Sequence, residues 1–252
     1  ETAYDTIIIS VGTPLKKGTK KPNLEFLNQV INDAGKLIRT NTLVCMRSTL
    51  PVGCSRKTIL PVLEKKSNLL VGKDFFLAST PERTVEGKAL EELRENSQII
   101  GGITPKCTEK AAKLFLKLTS TVIPVSSIEA AEFTKIIDNT YRDVKFAFAN
   151  QIAMISENLS LNVHEVIKAA NRHYPRNNIP VPSPGVGGPC ISKDPHILVN
   201  MSQKVGFEPE MIKISREINE SYPRLIAKRI MDFFSNKDKS LEDLRLLIAG
   251  FA

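Results

Sequence analysis

The chain has 252 residues, 42% of them hydrophobic, which is enough to bury a substantial core in more than one domain. The net charge is +8, but lysines are scattered and aromatic residues make up only 6%, which argues against a nucleic-acid surface and suits phosphate-bearing small ligands. Four cysteines without a CxxC pair and three histidines argue against a metal site or disulfide scaffold. Without a signal peptide or an apolar run of about 20 residues, we expect a soluble cytoplasmic protein with no membrane partner.

The first half of the chain alternates short apolar runs with helical spacings, which is the pattern of a parallel sheet flanked by helices. The predicted strands are 6–11, 42–46, 75–78, 98–101 and 121–125. The predicted helices are 24–38 with a cap at Asn23, about 55–65, 89–95 and 108–118. The dinucleotide fingerprint of three spaced glycines after a first strand is absent, so the residue pattern alone does not establish NAD binding.

Polar residues follow three of the predicted strands. Thr13 comes after the first strand, Ser48 and Thr49 after the second, and Glu82 through Glu86 after the third. Ligands of parallel α/β sheets bind beyond the carboxyl ends of the strands. The sequence therefore predicts a ligand site at this edge of the sheet.

The character of the chain changes at Ser126. Ser126 and Glu129 form a capping-box pattern, and the predicted helix that follows runs to about Leu159. Such a length suggests a spine or a dimerisation element. Lys135 and Asn139 are four residues apart and hence on one face, although a helical lysine is also compatible with a solvated surface.

Three further helices are predicted in the second half of the chain. They span 162–170, 195–204 and 209–236, and Pro223 is expected to break the last one. The final run, 244–250, resembles the first strand of another α/β domain.

The stretch PSPGVGGPCISKD, residues 182–194, predicts a shaped loop because it combines glycines with prolines ahead of Cys190. Asp194, followed by a proline and an apolar run, is typical of a helix N-cap. A helix N-terminus and the nearby Lys193 would both stabilise the Cys190 thiolate, the reactive form of cysteine. Cys190 is thus a candidate nucleophile, although most free cysteines are small buried hydrophobic residues.

Five motifs in one order resemble the nucleotide-sugar 6-dehydrogenases, the family that includes UDP-glucose and GDP-mannose dehydrogenases. They are VGTP (11–14), STLPVG (48–53), PERTVEGKALEEL (81–93), KIIDNTYRD (135–143) and GVGGPCISKDP (185–195). The stretch 170–191 most resembles the branch that oxidises UDP-N-acetylmannosamine. The chain departs from the family at Gln151, where many members carry glutamate, and at Pro189, where that branch often has histidine.

The resemblance implies an α/β fold in three parts. A partial Rossmann-like parallel sheet for NAD would occupy 1–125, and an all-helical central dimerisation domain with the catalytic loop would occupy 126–222. A linker helix and the first strand of a third α/β domain, which binds UDP, would occupy 223–252. The chain would then be truncated at both ends, so that this piece alone need not be active. The resemblance also implies NAD as the cofactor, a UDP-sugar as the substrate and a homodimer.

The implied reaction is a four-electron oxidation of C6 of the UDP-sugar to the uronate through a thiohemiacetal and a thioester on Cys190. UDP-N-acetylmannosamine is the expected sugar, with UDP-glucose or UDP-N-acetylglucosamine as alternatives. The implied catalytic residues are Cys190, Lys135, Asn139, Asp194, Glu82 and Thr49. The implied cofactor contacts are Thr13, Thr49, Glu86 and Lys193. The implied substrate contacts are Glu82, Lys135, Asn139, Arg172, Ser183, Gly185, Gly187 and Gly188.

Two other classes of function stay open. β-Hydroxyacid and 6-phosphogluconate-type dehydrogenases also pair a Rossmann domain with a helical domain and use a lysine and an asparagine four apart. They transfer one hydride without a cysteine, so the glycine-rich loop before Cys190 argues against them. A non-catalytic dimeric assembly module is favoured by the absent glycine fingerprint, but catalytic-type residues persist at every matched motif.

Overall fold

The computed structural model of the protein describes residues 4–85, 87–235, 245–247 and 249. The chain divides into two compact units. The first comprises Glu1–Tyr141 and Pro189–Pro209, and the second comprises Arg142–Gly188 and Glu210–Ala252. Within the described ranges, no helix combines the length and the apolar character that a membrane crossing requires.

The first unit is built on a five-stranded sheet whose strands follow one another in chain order. The strands are β1 (Thr6–Ile9), β2 (Leu43–Met46), β3 (Phe76–Ser79), β4 (Gln98–Gly102) and β5 (Val122–Pro124). β1, β2 and β3 are parallel, β4 runs antiparallel to β3, and β5 is parallel to β4. The five predicted strands and the predominantly parallel sheet are confirmed, and β3–β4 is an antiparallel pair within it.

The antiparallel pair follows from the connection between β3 and β4. A parallel return needs a crossover element that packs on the sheet. The described part of this connection contains only the short helix α3 (Ala89–Glu95), none of whose residues is buried. Because α3 does not cover the sheet, β4 returns alongside β3 in the opposite direction.

Helices cover both faces of the sheet. They are α1 (Glu25–Leu37), a π-helical turn (Ser55–Ile59) that continues into α2 (Leu60–Ser67), and α4 (Pro105–Phe115). Alternate residues of β2 divide between two cores, because successive strand side chains point to opposite faces. Val44 and Met46 join the core under α1 and α2, while Leu43 and Cys45 join the core that includes Phe115 of α4.

Two glycines of β4 let the following helices approach the strand. A Cβ atom at Gly101 would lie 2.1 Å from the carbonyl oxygen of Ser127, and one at Gly102 would lie 2.5 Å from the main-chain nitrogen of Thr108. A side chain at either glycine would therefore push these helical segments off the strand. Gly101 thus allows the close approach of the start of α5 (Ile128–Asn158), and Gly102 allows that of α4.

The cap of α5 differs from the predicted one. The Ser127 hydroxyl accepts a hydrogen bond from the Ala130 N–H at 3.1 Å, so Ser127, and not Ser126, caps the helix. The carboxylate of Glu129 pairs with Arg56 at 2.5 Å. The predicted long helix itself is confirmed, since α5 has 31 residues.

Of the remaining four helices in the described residues, three follow the predicted order, and the fourth, residues 188–191, lies in the stretch that was predicted to be a loop. They are α6 (Val163–Asn171), α7 (Gly188–Ile191), α8 (Asp194–Lys204) and α9 (Glu210–Ser235). In the second unit an ion pair between Glu157 of α5 and Arg229 of α9 links the two long helices.

Pro223 does not break α9, so that prediction is wrong. A proline removes one N–H and hence one hydrogen bond to the preceding turn. Asn219 and Tyr222, just before it, are buried, so packing on that turn keeps the chain helical despite the lost bond. Of the predicted final strand, the described residues 245–247 and 249 are not in a strand, and the others lie outside the described residues.

Candidate active site

Asn139, Lys193 and Asp194 form one hydrogen-bonded group in the first unit. The Nδ2 group of Asn139 on α5 donates to Oδ2 of Asp194. The Nζ group of Lys193 donates to Oδ1 of the same carboxylate. Asp194 is 0% exposed and Asn139 only 1%, so the carboxylate needs partners to offset the cost of burying its charge. The structure thus brings three of the predicted site residues together.

Asp194 is the first residue of α8 and not its N-cap, so the predicted capping role is wrong. Lys193 occupies the N-cap position, and Pro195 follows Asp194 within the first turn. The carboxylate instead accepts charge-assisted hydrogen bonds from the Asn139 amide and the Lys193 ammonium. Its negative charge still lies favourably in the first turn of a helix.

Cys190 lies on the short helix α7, three residues before Lys193. It lies ahead of α8 as predicted, and its carbonyl oxygen accepts a hydrogen bond from the Lys193 N–H at 3.2 Å. All four cysteines lie in the described ranges, and Cys190 alone is exposed. Burial raises the pKa values of Cys45 and Cys54 to about 12, which makes these two thiols poor nucleophiles. Cys190 is therefore the cysteine that a reactant can reach.

Lys135 is half-buried on α5, one turn before Asn139. Residues four apart on a helix share a face, so these two residues point to the same side of α5 as predicted. Glu132 lies three residues before Lys135 and therefore shares this face as well.

Glu132 was not among the predicted site residues. It is 2% exposed, and its two carboxylate oxygens accept hydrogen bonds from the N–H groups of Gly53 at 2.6 Å and Ser55 at 2.8 Å. Burial raises the pKa of Glu132, and the hydrogen bonds from Ser55 and Gly53 oppose that rise. Glu132 ties α5 to the loop after β2, which carries Thr49. The three-residue spacing between Glu132 and Lys135 is the feature of the sequence that could have identified Glu132 as part of the site.

Thr13 and Thr49 lie at the carboxyl ends of the adjacent parallel strands β1 and β2. The Thr13 hydroxyl donates to the Thr49 carbonyl oxygen at 2.6 Å, which holds the two loops together. A Cβ atom added at Gly12 would meet no described atom within 4 Å, so the backbone after β1 is open to a ligand. This polar pair beside open backbone fits a bound dinucleotide. Glu86, another predicted cofactor contact, lies outside the described residues.

Glu82 is held in place by Arg47. One of its carboxylate oxygens pairs with the Arg47 guanidinium, and the other accepts a hydrogen bond from the Thr84 N–H at 2.9 Å. Arg47 also donates to Gln98 at 3.0 Å, and burial lowers the pKa of Arg47. The ion pair and this hydrogen bond orient the Glu82 carboxylate. Arg47 was missed in the sequence, although it directly precedes the Ser48–Thr49 pair.

The remaining predicted substrate contacts lie in the second unit. Arg172 is an exposed residue at the C-terminus of α6. Asn150 on α5 binds both main-chain groups of Ser183, at 2.9 and 3.1 Å. Cβ atoms added at the three loop glycines would meet no described atom within 4 Å, and one of the three has a positive φ of 77°. They are Gly185, Gly187 and Gly188.

Comparison with known proteins identifies one family over most of the chain. Residues 2–119 match the sequence model of the NAD binding domain of the UDP-glucose/GDP-mannose dehydrogenase family. Residues 129–221 match the model of the central domain of the same family.

Individual relatives agree with the family models. The chain is 36% identical over 232 residues to the UDP-N-acetyl-D-mannosamine dehydrogenase of Campylobacter jejuni, covering 90% of this chain and 56% of that protein. It is 35% identical over 232 residues to the NDP-N-acetyl-D-galactosaminuronic acid dehydrogenase of Ralstonia solanacearum, covering 90% of this chain and 54% of that protein. The chain spans about half the length of the curated relatives that it matches.

A solved structure gives the same result at the level of the fold. The structure of the UDP-D-ManNAc dehydrogenase from Pyrococcus horikoshii superposes with a TM-score of 0.87 at 34% identity, covering 93% of this chain and 54% of that one. The family's NAD-binding and central domains therefore follow one another here in sequence and in fold. The chain belongs to the UDP-glucose/GDP-mannose dehydrogenase family, and residues 2–119 are its NAD-binding domain.

Proposed function

We propose that the protein is an NAD-dependent nucleotide-sugar 6-dehydrogenase that oxidises C6 of a UDP-sugar to the uronate. The observation that carries this proposal is the exposed thiol of Cys190, which precedes the buried group of Asn139, Lys193 and Asp194 in a chain of this family. A single oxidation of an alcohol to an aldehyde needs no cysteine. An oxidation to the acid benefits from one, because the thiol holds the aldehyde covalently.

NAD, when bound, supplies the hydride acceptor for both oxidations, and its proposed contacts are Thr13, Thr49, Glu86 and Lys193. The Cys190 thiolate adds to the aldehyde carbon, forming a C–S bond, and the aldehyde oxygen takes a proton to give a thiohemiacetal. Oxidation of the thiohemiacetal leaves a thioester. Water then cleaves the C–S bond, which releases the carboxylate and returns the thiol.

The other candidate catalytic residues are proposed to handle charge, water and protons. Lys135 and Asn139 stabilise the negative oxygen of the alkoxide and of the thiohemiacetal, and one such donor typically lowers a barrier by roughly 3–4 kcal/mol. Asp194, Glu82 and Thr49 order the hydrolytic water and move protons. The observed bonds from Asn139 and Lys193 orient the Asp194 carboxylate for this role.

We propose UDP-N-acetylmannosamine as the substrate, because the Campylobacter and Pyrococcus relatives are named for that sugar. The Ralstonia relative is named for an N-acetylgalactosaminuronic acid. The names therefore agree that the sugar is an N-acetylhexosamine, but they differ in which epimer it is. The proposed sugar-nucleotide contacts are Glu82, Lys135, Asn139, Arg172, Ser183, Gly185, Gly187 and Gly188. The space in front of the three glycines supports a backbone contact with the ligand. A cytoplasmic homodimer is part of the same proposal.

The substitution Cys190→Ala tests the role of the thiol. We expect the variant to lose uronate formation completely, measured by mass spectrometry of the product, because no thiohemiacetal can form. Ser192→Ala, a nearby exposed position, is the matched control and should keep the activity of the wild type. Full uronate production by Cys190→Ala would overturn the mechanism.

A further inference from the structure

A buried polar network lies in the second unit and includes none of the residues that are proposed to perform the chemistry. Its side chains are almost completely inaccessible, with exposed fractions of 0 to 3%. They are Asp143, Asn150, Arg216 and Asn219. Burying polar and charged groups costs free energy unless they are hydrogen-bonded, so a cluster of this size needs well-placed partners.

The network is continuous from α5 to α9. Nη1 of Arg216 donates to Oδ1 of Asp143 at 2.6 Å. The Asn219 amide donates to the same oxygen and to the main-chain oxygen of Asp143, both at 2.9 Å. Asn150 then donates to the Asn219 side-chain oxygen at 3.0 Å. Each member therefore helps to orient the next.

Both ends of the network terminate on the main chain of the glycine-rich loop, residues 183–188. Asn150 accepts a hydrogen bond from the Ser183 N–H at 2.9 Å and donates to the Ser183 carbonyl oxygen at 3.1 Å. At the other end, Nη2 of Arg216 donates to the Val186 carbonyl oxygen at 2.9 Å. The loop is thus held at two of its residues, three apart.

The contacts with the loop limit its conformational freedom as well as adding to the stability of the fold. A buried ion pair is often no more stabilising than apolar side chains of similar volume, so the Asp143–Arg216 pair is weak evidence for a stabilising role. A loop that contains three glycines has wide backbone freedom, and ordering it when a ligand binds would cost affinity. Anchors that order the loop beforehand remove that cost.

We infer that Arg216 and Asn150 are positioning residues that fix the conformation of the loop 183–188 and thereby set the affinity for the sugar nucleotide. The inference rests on the proposed function for the identity of the ligand. Arg216 and Asn150 touch the loop's main chain, and the loop's main chain touches the ligand.

The variant Arg216→Lys tests whether the guanidinium must bind Asp143 and Val186 at the same time. A lysine keeps a positive charge beside Asp143, but it lacks the fork that donates to Asp143 and Val186 at once. We expect the KM for UDP-N-acetylmannosamine to rise about tenfold, the effect of one lost hydrogen bond to a charged group. The kcat and the KM for NAD should stay within about twofold of the wild type, since the contacts proposed for the loop are with the sugar nucleotide alone.

Two further variants complete the experiment. Glu220→Gln is the matched control, because it removes the charge of the half-exposed Glu220, 3.4 Å from Nε of Arg216, and keeps the donors that bind Asp143 and Val186. It should leave the KM unchanged. Asn150→Ala removes the other anchor and should raise the KM in the same way, which keeps the test open if Arg216→Lys fails to fold.

Hydrogen–deuterium exchange of the peptide 183–188, without any ligand, measures the anchoring directly. We expect faster exchange in Arg216→Lys and Asn150→Ala than in Glu220→Gln, because loss of an anchor frees the loop amides. Unchanged exchange and unchanged KM in both folded variants would overturn the inference, as would a fall in kcat at constant KM.

The two proposals fail in different ways. A full-length wild-type protein that oxidises no UDP-sugar refutes the proposed function and the ligand part of the inference, whereas the exchange data still decide whether the network holds the loop. A wild-type protein that turns over normally, with variants that also do so, refutes the inference alone.

Discussion

Asp194 shows how one side chain can be predicted as important for a partly wrong reason. Its position before Pro195 indicated a helix cap, whereas the carboxylate binds Asn139, 55 residues away along the chain, and the adjacent Lys193. The lysine was visible in the local pattern, but the asparagine could not be paired with Asp194 without the fold. The Arg47–Glu82 and Arg216–Asp143 ion pairs, 35 and 73 residues apart, were missed for the same reason.

The difference in burial among the cysteines predicts selective labelling at Cys190. At pH 8, a thiol reagent such as DTNB should modify about one cysteine per native chain, because burial protects the others and raises the pKa values of Cys45 and Cys54 to about 12. Unfolding in urea should release all four thiols.

Cys190→Ala is the control for this experiment and should remove the rapid phase of labelling. Rapid labelling that persists in this variant would show that another thiol is accessible in the native protein and would contradict the assignment of Cys190 as the exposed cysteine.

At the scale of elements, the strands and most helices were predictable because their hydrophobic periods and caps are local. Asn162 illustrates a correct boundary, since its side chain accepts hydrogen bonds from the first turn of α6. The direction of β4 was not predictable, because it depends on whether α3 packs on the sheet. The continuity of α9 past Pro223 likewise depends on the burial of neighbouring side chains.

The junction between α5 and the loop after β2 should respond to pH through Glu132. Because burial raises the pKa of Glu132 in the folded protein, folding favours the protonated form, and its contribution to stability is lost as the pH rises from about 4.5 through the raised pKa. Glu132→Gln cannot titrate. The free energy of unfolding of the wild type, relative to that of this variant, should therefore be larger at pH 4.5 than at pH 8.

Urea unfolding of both proteins across this pH range measures the difference, and the other carboxylates cancel because both proteins contain them. A difference that grows as the pH rises would contradict the account. It would mean that the bonds from Gly53 and Ser55 outweigh burial and lower the pKa of Glu132.

At the scale of the whole molecule, the family resemblance in the sequence and the comparisons with known proteins agree on a dehydrogenase family with an NAD-binding domain. The local residue patterns alone do not identify the family, since the glycine fingerprint is absent and a free cysteine such as Cys190 is more often a small buried hydrophobic residue. The family was identified in the sequence from five motifs that occur in one order. Their side chains in the first unit form hydrogen-bonded groups, such as Thr13 with Thr49 and Asn139 with Asp194.

The most direct test of the account is the number of NADH molecules that the purified full-length protein forms per sugar across a panel of UDP-sugars. The thioester mechanism requires two oxidations at one carbon, so we predict two NADH per sugar, with UDP-N-acetylmannosamine preferred. One NADH per sugar would contradict the mechanism and favour a β-hydroxyacid-type reaction. No NADH with any sugar would contradict the proposed enzyme and favour an assembly module.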